Sequence, residues 1–249
     1  MAEHLVRDYD ADGIFDSYAW QLNRHLGPGA GVPFSSLESS QGLLALTDRV
    51  RNAVRAIKPD AVVIGETNAG PIARHWDGGL SADFGFELAG QSPVLSGSPV
   101  RYAMPEAHWF SNGTNLNQLH QVYAAGHGLA LCGNHANGGF MYEHAEHIRN
   151  LVDLRRNYRD ALIYGAQTYQ PGTGTDAVIA YRYHGEQHDI LTVVNIAAID
   201  MTVDLALSEQ DHNTAWSDLT SEWTGSAHNG ILGQLPMPAE GLRVLILRQ

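Results

Sequence analysis

The hydrophobic period of this chain changes once, at the loop Gln170-Pro171-Gly172-Thr173-Gly174-Thr175, and that change restricts the available folds more than any other feature. Ahead of the loop, short apolar runs alternate with stretches whose apolar residues recur at steps of three and four. Ser35 and Glu38 have capping-box spacing, and Leu43, Leu46, Val50, Val54 and Ile57 follow at helical steps. Lys58-Pro59-Asp60 ends that helix. The run Ala61-Val62-Val63-Ile64-Gly65 begins within three residues, which is the short connection of an α/β unit. Similar strand candidates are Gly13–Asp16, Gly79–Phe84, Val100–Glu106 and Leu129–Cys132, with helices expected over 114–125 and 143–161. Past the loop the helical spacing disappears. Runs such as AVIAYRYH, DILTVVNI and DMTVDLAL, separated by turn residues, predict an all-β sandwich of about 75 residues. The expected division is an α/β domain over 1–170 and a β-sandwich domain over 171–249.

Bulk properties narrow the function classes. With 249 residues, 44% of them hydrophobic, the chain can bury a substantial core. A formal charge of −12 disfavours nucleic acid and anionic membrane as partners, because both need clustered Lys and Arg. One cysteine, Cys132, excludes an intrachain disulfide framework. No apolar run approaches the ~18 residues of a membrane span, and MAEHLVRDYDADG lacks the regions of a signal peptide, so the expected location is cytoplasmic.

Alternation of apolar strands with amphipathic helices predicts a parallel sheet, whose chemistry gathers at the C-terminal strand ends. Those ends carry Asp16, Glu66, Asp83 and Glu106, then Asn134 and His135. One acidic strand end is ordinary; four on one rim form a candidate site. Two carboxylates flanking a glycosidic bond suffice for its cleavage, since the transition state resembles an oxocarbenium cation. Trp20, Trp76 and Trp109 lie near the same ends and could stack on sugar rings, and Asn23, His75, Asn112 and Asn134 could bind hydroxyls. The alternative for each tryptophan is a lid over the barrel rim.

Cys132, His135, His144 and His147 lie close in sequence, as zinc ligands can. Their spacing matches no recognised finger or H-E-x-x-H pattern, and polar residues on an exposed first helical turn explain them; no metal and no cofactor is expected. The glycine-rich stretches 27–31 and 165–175 lack the context of a dinucleotide or P-loop site and are read as ordinary loops.

The passages DADGIFDSYAW, IKPDAVVIGET followed by DGGLSADF, and RYAMPEAHWFSNGTNLN, together with the closing helix and β-sandwich, resemble the second half of a (β/α)8-barrel glycoside hydrolase of the α-amylase-like or related retaining families. The resemblance implies the C-terminal part of a TIM-type barrel, about five strand–helix units, followed by a small all-β sandwich. In the α-amylase-type pattern the nucleophilic aspartate maps onto Asp16 and the acid/base glutamate onto Glu66. That motif has an arginine two residues before its aspartate, where this chain has Ile14. The α-galactosidase-like families would favour Asp83 as second carboxylate, and another large clan would favour Glu106. Five units do not close a barrel of eight, so the expected explanations are a missing N-terminal half, another chain completing the barrel, or an open α/β domain that only resembles one. The start of the chain, which begins inside a helix, supports the first of these. The implied partner is a carbohydrate substrate. The competing expectation is a non-catalytic carbohydrate-binding or assembly module, and a metal-dependent barrel hydrolase ranks third because His135 is the only histidine well placed for it.

Overall fold

The computed structural model describes residues 2–16, 36–65, 75–81, 108–112, 115–130, 143–169, 171–208, 211 and 213–248. Five short strands, β1 (Gly13–Asp16), β2 (Val62–Gly65), β3 (Gly78–Ser81), β4 (His108–Asn112) and β5 (Gly128–Ala130), form one sheet in the order of the chain. All four pairings are parallel. A sheet that adds each strand beside the last, never reversing direction, is wound as a (β/α) barrel is; a doubly wound sheet reverses at a switch point.

Helix α1 (Ala2–Tyr9) and the long α2 (Ser36–Ile57) cover one face of β1 and β2. Val6, Val54, Ala61, Val63 and Trp76 form the buried cluster there, with Ile14, Val50 and Ile57 packed against it. Asp77 fastens the layer. Its carboxylate accepts from Arg55 Nη2 at 2.7 Å, from the Val63 amide at 2.9 Å, and from Arg51. Just past the same end of α2, Lys58 donates to the Asp10 and Asp12 carboxylates and ties the helix to the approach of β1.

Helix α3 (Leu116–Ala124) leads into β5. Asn115 caps it, its side-chain oxygen accepting from the Gln118 amide at 2.9 Å, which satisfies one orphan donor of the first turn. Gly126 just past the end has φ of 74°, the left-handed conformation that closes a helix cheaply only for glycine. Helices α4 (Ala145–Asn157) and α5 (Arg159–Leu162) follow.

The remaining eight strands are antiparallel: β6 (Ala166–Tyr169), β7 (Val178–His184), β8 (Asp189–Asn195), β9 (Met201–Ala206), β10 (Ala215–Asp218), β11 (Thr224–His228), β12 (Ile231–Met237) and β13 (Leu242–Arg248). Their order is β6-β7-β8-β13-β10-β11-β12-β9. One face of every strand from β7 to β13 contributes to a common core containing Val178, Leu191, Leu205, Trp216, Leu232 and Leu245, so the sheet folds over itself as a sandwich. The Gly172–Ala206 bridge joins the approach of β7 to β9. Asn229 and Gly230, with φ of 52° and 74°, make the two-residue turn between β11 and β12 that the Asn-Gly dipeptide announces. This sheet starts at Ala166, ahead of the boundary expected at residue 170.

The outer face of β7, β8 and β13 receives α3, α4 and α5. Tyr181, Tyr183, Ile190, Val194 and Val244 meet Leu119, Tyr123, Leu151 and Leu162 in a second buried cluster. Two hydroxyls, Tyr183 Oη and Thr192 Oγ1, each donate to the Ala124 carbonyl at 2.7 Å, satisfying an orphan acceptor at the end of α3. Strands β7 and β8 are therefore apolar on both faces. The partial barrel and the sandwich share a packed interface with buried polar anchors.

Candidate functional site

In the parallel sheet, β1 ends at Asp16 and β2 at Gly65, and the register pairs those two residues. Glu66 follows Gly65 directly. The helix-facing level of the sheet is fixed by its neighbours: Ile14 and Val63 pair with one another and pack in the α1/α2 cluster. A Cβ placed on Gly65 would lie 2.3 Å from the Trp76 ring, so this strand end is pressed against that tryptophan.

Several candidates stand differently from their expected positions. Trp76 is 3% exposed within the α1/α2 cluster. A ring enclosed on both faces cannot stack on a sugar, so Trp76 is a core residue and leaves the binding set. His75 is turned to α2, its Nδ1 lying 2.8 Å from Asp48 Oδ1. The described strand in the region of the expected 100–106 run is β4, starting at His108 and closing at Asn112. Glu106 therefore precedes β4 in the chain, and Trp109 is the second residue of the strand rather than a residue beyond its end. The expected 100–106 run itself lies outside the described residues. Glu66, Asp83, Glu106, Trp20, Asn23, Asn134 and His135 lie outside the described residues. Cys132 lies there as well.

Two histidine constellations that the sequence did not reveal are well defined. His120 Nδ1 donates to the Glu240 carbonyl at 2.7 Å, and its Nε2 lies 2.7 Å from His147 Nε2. A carbonyl only accepts, so the neutral His120 carries its proton on Nδ1 and its Nε2 receives the proton of His147. Burial pushes His120 down to about 4, aided by His147 and His144 and opposed by the Glu240 bond. Burial, then His144, also lowers His147. The second constellation is Asp160, which accepts from the Gln187 amide at 2.9 Å, the His188 amide at 3.0 Å and His188 Nδ1 at 2.8 Å. Burial alone would raise its carboxyl, but these hydrogen bonds outweigh it and hold the group below the ordinary carboxylate range. It anchors the β7–β8 turn to α5. Among the described residues, no group of three or more His, Cys, Asp or Glu is arranged to hold a metal ion.

Two grooves accompany these features. One of about 930 Å³ lies between α5 and the β7–β8 turn, with Arg159, Asp160, Tyr164, His184 and His188 on its walls. The other, of about 680 Å³, is apolar and lies along β1, between α1 and α2, lined by Leu5, Ile14, Phe15, Leu46 and Val50. No described helix is long and apolar enough to cross a membrane.

No family model matches the chain, and no curated protein matches it. Solved structures do. An α-amylase from Geobacillus thermoleovorans, complexed with acarbose, aligns over 100% of this chain with a TM-score of 0.67 at 14% identity. A noncanonic maltogenic α-amylase from Thermotoga neapolitana aligns over 99%, with a TM-score of 0.68 and 15% identity. A debranching enzyme from Nostoc punctiforme aligns over 98%, with a TM-score of 0.61 and 11% identity. The chain spans 62%, 63% and 59% of those three chains respectively. The fold is that of the C-terminal part of α-amylase-type structures, a partial barrel followed by a β-sandwich.

Proposed function

We propose that this chain is a glycoside hydrolase-like protein that acts on O-glycosidic bonds with two carboxylates at the C-terminal strand ends, Glu66 as proton donor and Asp16 as nucleophile or base. The observation that supports this reading is the register that pairs Asp16 with Gly65, since Glu66 follows Gly65 in the chain and the two acidic positions thus belong to neighbouring strands of a barrel-type sheet. Adjacent parallel strands lie about 4.8 Å apart, so side chains leaving neighbouring ends can reach the 5–5.5 Å separation of a retaining pair. The register also sets a condition. Residues 16 and 66 are one level apart, and on a regular pleat successive levels face opposite sides of the sheet. The reading thus requires the chain to turn out of the sheet at Glu66, as βα-loops on barrels do. Asp83, two residues past the end of β3, is the reserve partner. The expected carbohydrate class is an α-linked glucan, since the fold neighbours are α-amylases and one of them is complexed with acarbose. The reading includes a further segment or a second chain completing the sheet, because β1 is paired on one side only among the described residues.

A non-catalytic carbohydrate-binding role is the second reading. It is favoured by Ile14, which packs against the Val63 cluster at the position where the α-amylase-type nucleophile motif carries arginine.

Release of nitrophenol from a nitrophenyl maltooligosaccharide, measured beside calorimetric titration with acarbose, separates the two. Hydrolysis that falls at least 100-fold in both Asp16→Asn and Glu66→Gln supports the enzyme, that loss being about 3 kcal/mol of transition-state stabilisation. Acarbose binding without hydrolysis supports the binding role. Absence of both, once the segment or chain that completes the sheet is supplied, refutes a carbohydrate function.

A further inference from the structure

The bond between His120 and His147 joins three elements: α3, α4 and the turn between β12 and β13 that carries Glu240. It sits where the partial barrel meets the sandwich. Asn117, one turn before His120 on α3, donates to the Ile196 carbonyl at 3.3 Å and to the Glu240 carboxylate at 3.4 Å, so the same turn is held twice. His120 itself is 4% exposed, and the two imidazoles meet edge to face with ring centres 4.9 Å apart.

The proton inventory of this joint is limited. His120 Nδ1 must donate to the Glu240 carbonyl, and its Nε2 must accept from His147. A first added proton can rest on His147, which remains the donor. A second one, on the buried His120, would set two N–H groups against each other across 2.7 Å, with His147 half-buried at the edge of a groove. The titratable groups that face the pair are His144 from α4 and Glu240 from the turn. Strands β4, β5, β8 and β13 also pack on α3, and the charged residues of β8 and β13 have other partners: Asp189 is held by Arg182, Arg243 by Asp218, and Arg248 donates to Ser217. No described carboxylate of those strands is engaged with His120 to neutralise the second proton.

We propose that the His120–His147 pair is an acid-sensitive latch between the partial barrel and the sandwich, closed while the pair carries at most one extra proton and opened by the second. Opening frees the Glu240 turn from α3 and breaks the imidazole contact between α3 and α4, whose Arg155 bonds to the Tyr123 and His127 carbonyls remain. The apolar cluster around Tyr181 and Leu119 and the two hydroxyl bonds to Ala124 remain, so the sandwich keeps its own fold. The device is independent of any glycosidase activity.

The test is amide hydrogen exchange of the full chain at pH 7 and pH 4.5, expressed as protection factors so that the intrinsic pH dependence cancels. Protection in residues 117–121 and 239–242 is expected to fall at least tenfold at pH 4.5, while Leu191 and Val193 in the centre of β8 keep theirs. In His120→Asn, whose side-chain amide can donate to the Glu240 carbonyl without titrating, the acid-induced fall is expected to vanish. Nitrogen-resolved NMR of the histidine rings in the wild-type chain provides the check that needs no variant. His120 should be the Nδ1–H tautomer at pH 7 and should not become charged until well below pH 5.5. An Nε2–H tautomer, titration near 6.5, unchanged protection at pH 4.5, or an equal fall in His120→Asn would each overturn the latch.

Discussion

Replacing Gly65 by alanine tests the packing that sets the end of β2. A Cβ at this position would come within 2.3–2.4 Å of three atoms of the Trp76 ring, Cε3, Cδ2 and Cζ3. Carbon atoms pack at about 3.5–4.0 Å, so relief demands a displacement of more than about 1 Å. Trp76 has little room for it, being 3% exposed among Val54, Val63 and Ala61. Inserting a methyl group into such a site costs about 1–3 kcal/mol, and we expect Gly65→Ala to fall in the upper half of that range. Urea unfolding followed by tryptophan fluorescence should give a lower midpoint at unchanged slope. The double variant Gly65→Ala/Trp76→Leu decides the cause. If the clash is the cause, adding Gly65→Ala to Trp76→Leu should cost at least about 1 kcal/mol less than adding it to the wild type. An unchanged midpoint in Gly65→Ala, or strict additivity in the double variant, would refute the close approach of strand and ring.

Other expectations follow from the sandwich and its joint. Arg182→Met should destabilise by about 3 kcal/mol, because it removes the cation that faces the buried Asp211, which keeps its Ser208 bonds, and both bonds to Asp189; denaturant unfolding measures it, and a loss below about 1 kcal/mol contradicts the buried pairing. Asp160→Ala should cost about 2 kcal/mol and free the β7–β8 turn, seen as faster amide exchange at residues 185–188. Because the Asp160 carboxyl is held below its usual value of 3.8, its contribution is present above that pH and is lost as pH falls through the lower folded value; calorimetric midpoints of wild type and variant should converge in acid. His120 has the opposite chemistry and the same direction. Its pKa drops from 6.5 unfolded to about 4 folded, so its contribution is complete above 6.5 and is lost as pH falls toward 4. A shift of that size is worth about 3 kcal/mol, read as the excess acid slope of the wild type over His120→Asn.

The elements that read clearly in the sequence are those whose local signals agree. The helix ending at Ile57 is marked by its apolar steps and by Lys58-Pro59, and the strand after it by an unbroken apolar run. The strand Gly13–Asp16 has the expected bounds. Where tertiary context decides, the sequence misleads. Trp76 beside a strand end reads equally as a platform for a ligand and as core; its packing on Gly65 is the deciding fact, and the glycine inside the β2 run is the one local hint of a close approach. Strand β4, His-Trp-Phe-Ser-Asn, lacks a clear two-residue alternation and is overshadowed by the more apolar run ending at Pro105-Glu106. Strands β6 and β11, Ala-Gln-Thr-Tyr and Thr-Gly-Ser-Ala-His, are short and polar, and their partners rather than their composition make them strands. The meeting of His120 with Glu240, 120 residues apart, has no local signature at all.

The carboxyl separation of Asp16 and Glu66, measured in a crystal structure of the chain grown with acarbose, bears most directly on the proposed chemistry. The proposal predicts both groups on one face of the strand-end rim, about 5–5.5 Å apart for a retaining pair. Carboxyl groups on opposite faces of the sheet, or farther apart than about 10 Å with Asp83 not between them, would contradict it.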